Sequence, residues 1–251
     1  MMTISPRLIE TYHSALRVML PKSRTFWAAH SYIQRKAIEG SKVYEGMLGR
    51  LSSGLALNAD DVVLDAGCGR GDWLVAISPK VGRAIGVDYE AGMLCEAKRR
   101  TAGLSNILIE RVNLDERLPF SDSFFRKIGS TMVYGYLGGG VEVLKEYHRI
   151  LAPGGMIGLF TPREGARFIK VLIEEVGEKR KSGSIFRELS KLPLAAAVIF
   201  FSRIAELKGD VGQFRFLSRE ELADDLTSAG FIIKSIEPDY VGQAWFALAM
   251  K

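Results

Sequence analysis

Val62 to Trp73 reads VVLDAGCGRGDW. Five residues, mostly branched and apolar with one aspartate among them, run straight into a turn with glycine at positions 67, 69 and 71, and the turn opens onto a helical pattern. A strand followed by such a turn and a helix sets backbone N–H groups and a helix N-terminus at the carboxyl edge of a parallel sheet, where open α/β folds bind ligands. Gly67 and Gly69 lack a Cβ, so a ligand can lie against the main chain itself. Asp65 narrows the choice of ligand. A carboxylate directly before the glycines repels a dinucleotide pyrophosphate but suits a cationic or zwitterionic group.

Working outward, the next apolar run ends in AIGVDYE, and Asp88 stands where a carboxylate can accept hydrogen bonds from both hydroxyls of a ribose. An adenosine is implied. The glycine spacing is GxGxG, whereas a dinucleotide fingerprint is GxGxxG.

Short apolar strands alternate with amphipathic helices along the rest of the chain, the pattern that builds a parallel sheet covered on both faces. Strands are expected near 62–66, 83–88, 107–112, 127–132, 156–161, 231–236 and 244–250. Helices are expected over 71–79, 90–102, 139–151 and 218–229, with Ser218 and Glu221 forming a capping box at the start of the last. Before the first strand, Leu8, Tyr12, Ala15 and Met19 mark a helix over 6–20 that Pro21 ends, and a second helical stretch covers 25–53. Residues 1–53 thus read as an N-terminal helical cap and 54–251 as the main domain. Residues 163–217 are longer than one crossover helix needs. They hold a mixed-charge helix over about 163–180 and the apolar block LPLAAAVIFF (Leu192 to Phe201), which suits a buried core helix, a lid over a greasy pocket or a segment at a membrane interface.

Four stretches, VVLDAGCGRG, IGVDYEAGML, VNLDERLPFSDSFF and EYHRILAPGG, stand in an order and at intervals that resemble the class I S-adenosylmethionine-dependent methyltransferases, especially the small-molecule and lipid-precursor group. The resemblance implies a Rossmann-like α/β fold: a seven-stranded sheet whose last strand runs antiparallel, with the helical insertion between strands 5 and 6. It implies S-adenosyl-L-methionine as cofactor, with Asp65, Gly67 and Gly69 beside its methionine end and Asp88 on the ribose. Tyr89 is then placed against the adenine, with packing from Met93. Asn113 stands where the family usually presents an Asp to the adenine amine, and Leu114 offers a backbone N–H to the ring. Ser130 and Thr131 fall beside the cofactor's amine. Phe125 occupies a place where the family often has Asp. Tyr134 and His30 are the candidate catalytic residues for an acceptor that needs proton removal. His148 and the Pro153-Gly154-Gly155 turn read as structural.

Two rival readings stay open at this level: a nicotinamide-dependent oxidoreductase, and a noncatalytic protein that keeps the cofactor fold as a scaffold. The acceptor is expected to be a small, lipophilic molecule. TMVYG after the fourth strand lacks the Pro-Pro-aromatic segment of nucleic-acid nitrogen methyltransferases, so no nucleic-acid partner is expected. Hydrophobic residues at 47% and charged residues at 25% fit a globular protein, and no apolar run approaches the roughly 18 residues of a membrane span. The N-terminus does not resemble a secretory signal, so a cytoplasmic protein is expected. Cys68 and Cys95 are the two cysteines, with no CxxC pair, and no metal site is expected. The formal net charge of +5 sits wholly within residues 1–50, which suits either a solvated face or peripheral contact with a membrane.

Overall fold

Branched apolar residues bounded by turns place seven strands, and the strands set the layers. A computed structural model describes residues 41–181 and 214–251. The strands are β1 (Val62–Ala66), β2 (Arg83–Asp88), β3 (Ile107–Arg111), β4 (Phe125–Thr131), β5 (Leu151–Pro162), β6 (Ile232–Asp239) and β7 (Ala244–Met250). They form one sheet in the order β3-β2-β1-β4-β5-β7-β6. β1 to β5 pair in parallel, while β7 runs antiparallel to both β5 and β6, as the motif resemblance implies. The order reverses between β1 and β4, the switch point at which such sheets bind ligands.

The helices are α1 (Lys42–Leu55), α2 (Asp72–Ile77), α3 (Ala91–Thr101), α4 (Val141–Ile150), α5 (Ile169–Lys181) and α6 (Arg219–Ser228). The capping box of Ser218 and Glu221 forms as the sequence predicts. On one face of the sheet, α4 and α6 bury Leu144, Tyr147, Leu222 and Leu226 against Leu64, Ile85 and Ile128. On the other, α1, α2 and α3 bury Leu51, Leu55, Trp73, Leu74 and Ala97 against Val63, Ala84 and Phe160.

Glycines in the sheet bring α1 and α2 close. A Cβ at Gly129 would stand 2.3 Å from the Trp73 ring, and one at Gly158 would stand 2.5 Å from Leu51. Trp73 Nε1 donates to Ser52 Oγ at 2.9 Å, which in turn donates to the Leu48 carbonyl at 2.9 Å. The helix that follows the glycine loop is therefore tied to α1.

Four boundaries differ from the sequence expectation. α1 has its N-cap at Ser41, whose Oγ accepts the Tyr44 N–H at 3.0 Å, inside the stretch predicted over 25–53, of which residues 25–40 lie outside the described residues. β5 begins at Leu151 because a bulge between Phe125 and Lys127 lets Leu151 pair with Phe125 before Met156 pairs with Lys127, and the 153–155 turn lies inside the strand. β4 itself starts at Phe125, whose ring is fully buried edge-on to Phe120 and Phe124. The helix predicted over 163–180 begins only at Ile169, because Arg163 bridges Leu217 in parallel and extends the sheet instead. The expected 6–20 helix, His30 and LPLAAAVIFF lie outside the described residues.

Candidate functional site

The glycine loop leaves the carboxyl end of β1 and is pinned to β2: Gly67 N–H and Cys68 N–H both donate to the Val87 carbonyl, each at 2.9 Å. Gly67, at φ +82°, is overlain by Val133, with Cγ2 2.3 Å from where a Cβ would be. Gly69, at φ +52°, has open space in that direction. The two glycines thus do different work. One makes room for the protein, and the other leaves room above the loop.

Asp88 closes β2 and grips the loop. Its Oδ2 accepts the Gly69 N–H and its Oδ1 accepts the Glu90 N–H, both at 2.9 Å. Burial raises the Asp88 carboxyl above its ordinary range, and these backbone donors partly offset the rise. Each oxygen keeps a lone pair, so ribose hydroxyls can still donate to it.

Asp65 is 1% exposed, and its buried Oδ1 has no hydrogen-bond partner among the described residues. Burial, then the negative charges of Asp88 and Asp72, holds its carboxyl well above the usual range. An orphaned buried acceptor with two acids nearby is a costly arrangement that a cationic ligand relieves. The open space above Gly69, the orphan Asp65 oxygen and the spare lone pairs of Asp88 fit an amino-acid nucleoside that carries an ammonium and a ribose. Cys68 lies under the loop with its thiol pushed up by burial, which leaves it no nucleophilic part.

The residues expected near the adenine follow. The Val112 N–H donates to the Asp88 carbonyl at 3.0 Å and fixes the third motif beside the second. Tyr89 is 45% exposed, with the Arg111 guanidinium 5.1 Å over its ring. Met93 enters the first turn of α3, its N–H capped by Glu90 Oε2 at 2.7 Å. Asn113 folds its own loop: Oδ1 accepts the Asp115 N–H at 3.2 Å, and Nδ2 donates to Glu116 Oε1 at 2.8 Å. Leu114 anchors that loop in the core.

Other candidates are engaged in holding the fold. Ser130 is fully buried and donates to the Ala66 carbonyl at 2.9 Å, tying β4 to the start of the loop. Tyr134 stands apart from the glycine loop in its contacts. Its phenol donates to Asp225 Oδ2 on α6 at 2.7 Å and accepts from Arg215 Nη1 at 3.3 Å, while Arg215 pairs with Asp225 at 2.8 Å. Burial and Asp225 both make that phenol a weaker acid, so its proton stays in place and the group is ill suited to act as a base. Tyr134→Phe should lower stability by about 1–3 kcal/mol through loss of the charge-assisted bond to Asp225 while leaving cofactor affinity unchanged; thermal melts and calorimetry of the same preparation check both. His148 packs edge-on to Phe231 at 5.1 Å and touches Gly230, in keeping with its structural reading.

Sequence reasoning overlooked Tyr44 and the Arg70-Asp72-Arg100 group. Tyr44 stands in the first turn of α1, its phenol pushed up by burial and then by the charges of Asp72 and Asp65. Asp72, first in α2, pairs with Arg70 at 2.5 Å and Arg100 at 2.8 Å, which fixes the loop exit. The signal for Tyr44 was present, since it lies three residues before Met47 on the buried stripe of α1.

A methyltransferase domain model matches residues 63–155, the span from β1 through the start of β5. The chain is 28% identical over 196 residues to demethylmenaquinone methyltransferase of Staphylococcus aureus, covering 73% of this chain and 73% of that protein. The chain carries a methyltransferase domain of the class I S-adenosylmethionine-dependent type. Its fold is shared by a SAM-dependent methyltransferase from Aquifex aeolicus, with a TM-score of 0.56 at 17% identity over 95% of this chain and 97% of that one. It is shared too by geranyl diphosphate C-methyltransferase from Streptomyces coelicolor A3(2), solved with Mg2+, geranyl diphosphate and S-adenosyl-L-homocysteine, with a TM-score of 0.58 at 16% identity over 82% and 76%. The methyltransferase takes S-adenosyl-L-methionine as its cofactor, which sets aside the nicotinamide reading, and it is an enzyme rather than a bare scaffold. Among the described residues, no group of three His, Cys, Asp or Glu is placed to hold a metal ion, and no helix is long and apolar enough to cross a membrane.

Proposed function

We propose that this methyltransferase transfers the sulfonium methyl of S-adenosylmethionine to a small-molecule acceptor with an apolar body, with the cytoplasm as its expected compartment. The observation that carries the reading is the buried, unpartnered Asp65 Oδ1 beneath a loop that Gly69 leaves open and Asp88 braces. When bound, the cofactor supplies a methyl group already activated by the positive sulfur, so the protein has mainly to align and desolvate the reactants.

Each part of the site then has a task. Asp65 accepts from the ammonium of the methionine end, Asp88 orients the ribose, and Tyr89 and Met93 flank the adenine. Asn113 and Leu114 set the edge of the base pocket, and Ser130 holds β4 against the loop. An apolar acceptor is supported by the rings gathered where the insertion leaves and rejoins the sheet. Tyr136 meets Phe214 edge-on at 4.7 Å and Phe216 at 6.2 Å, and Phe168 meets Phe216 at 6.1 Å. The relatives named for demethylmenaquinone and geranyl diphosphate support the same class.

Calorimetry with S-adenosylmethionine, S-adenosylhomocysteine and NAD tests this. The first two should bind saturably and NAD should not. Asp88→Ala should weaken S-adenosylhomocysteine by about tenfold or more, since a charge-assisted hydrogen bond contributes about 1.5–3 kcal/mol. Equal affinity in the variant would remove Asp88 from the ribose site.

A further inference from the structure

A second buried carboxylate stands at the same edge of the sheet, and nothing in the cofactor site uses it. α1 runs from the carboxyl edge to the amino edge, where Ala56 turns it into β1, so its N-terminus at Ser41 lies on the ligand side. α5 follows the carboxyl end of β5 and packs against α1, and the turn between β6 and β7, which holds Tyr240, opens at that edge too.

Glu175 of α5 is 8% exposed and caps α1 with one oxygen. Its Oε1 accepts the Ser41 hydroxyl and, at 2.8 Å, the Val43 N–H. Its Oε2 is buried with no hydrogen-bond partner among the described residues. Capping a helix needs one carboxylate oxygen, and leaving the other buried and bare costs free energy unless a donor arrives. Tyr44, in the first turn of the helix that Glu175 caps, donates its N–H to the same Ser41 Oγ, and Tyr240 stands in the β6–β7 turn at this edge.

Resting on the methyltransferase reading above, we propose that Glu175 Oε2, buried beside the first turn of α1 at the edge of the sheet that carries the glycine loop, binds the hydrogen-bond donor of the methyl acceptor, a hydroxyl or an ammonium carried on the apolar body. Glu175 is thus a residue for acceptor recognition, distinct from the pair of acids that hold the cofactor. A single buried acid with one free oxygen suits one donor group at the end of an apolar molecule.

The test uses three probes on one scaffold, a naphthol, a naphthylmethylamine and a methoxynaphthalene, titrated into the full chain saturated with S-adenosylhomocysteine. The naphthol or the ammonium compound should bind about tenfold more tightly than the methoxy compound, the scale of a hydrogen bond to a charged group. Whichever does so identifies the donor. Glu175→Gln, which keeps an acceptor oxygen for Ser41 and Val43, should abolish that preference while S-adenosylhomocysteine affinity stays within about twofold. Glu175→Asp, which withdraws the carboxylate but keeps its charge, should do likewise and serves if the first variant does not fold. Equal binding of the three probes, binding of none, or a preference that survives both substitutions overturns the Glu175 assignment. Failure of the unaltered chain to bind S-adenosylhomocysteine, measured before any probe is added, would instead sink the cofactor reading.

Discussion

Asp65→Asn should stabilise the ligand-free protein and at the same time weaken S-adenosylhomocysteine by about tenfold or more, the loss of one charge-assisted bond of about 1.5–3 kcal/mol. The two effects share one cause. Burial, Asp88 and Asp72 all hold the Asp65 carboxyl well above its ordinary range in the folded state. A raised native pKa means that the native state binds the proton more tightly than the unfolded chain does, so ionising Asp65 opposes folding. The penalty is absent below the unfolded value of ~3.9 and grows as pH rises toward the folded one, above which it stays constant. The neutral asparagine carries no such penalty. Its melting temperature should therefore pull ahead of the unaltered protein as pH rises, by about 2–4 °C for each ~1 kcal/mol gained in a chain of this size. Bound cofactor reverses the order, because its ammonium turns the buried charge of Asp65 from a cost into a contact. Melting curves across pH, with and without S-adenosylhomocysteine, provide the measurement. A gap that does not change with pH, together with unaltered affinity, would show that Asp65 does not meet the cofactor as a charged group.

The strands were legible because each is a run of branched apolar residues closed by glycine, proline or a charge, and six of the seven fall within three residues of the expected limits at both ends. β5 is the exception, since its early start depends on a bulge against Phe125, a non-local pairing that no local pattern reveals. The acids proposed for the cofactor drew notice for a chemical reason: Asp65 and Asp88 stand at the carboxyl ends of neighbouring strands, next to the glycine loop, and both prove to be largely buried there. Ser130 and Tyr134 look equally functional in sequence, yet their partners, the Ala66 carbonyl and Asp225, lie 64 and 91 residues away and bind them into the framework. Glu175 was hidden in the opposite sense. Within α5 it is one charge among several, and its burial appears only once α1 docks on top of it.

Gly67→Ala and Gly69→Ala should separate the two uses of glycine in the loop. At Gly67 a methyl group would fall 2.3 Å from Val133 Cγ2, on a backbone at φ +82°. Strain at such a φ costs about 1–3 kcal/mol, and forced repacking about 1–3 kcal/mol more, so this variant should lose a large part of the protein's stability. Val133→Ala in the same background should return the packing share but not the backbone share, because the alanine at 67 keeps its strained φ. Gly69→Ala meets nothing within 4 Å and carries only the backbone cost at φ +52°, so it should fold with a smaller loss. Its methyl group projects instead into the space above the loop, and the N–H that Asp88 accepts is carried on the same strained residue. Cofactor binding should accordingly suffer more in Gly69→Ala than its stability does, and the reverse should hold for Gly67→Ala. Urea unfolding and S-adenosylhomocysteine titration of the three variants read the two quantities independently. Parallel losses in both quantities for both glycines would mean that the loop acts as one rigid piece, and that the open side of Gly69 is not where the ligand lies.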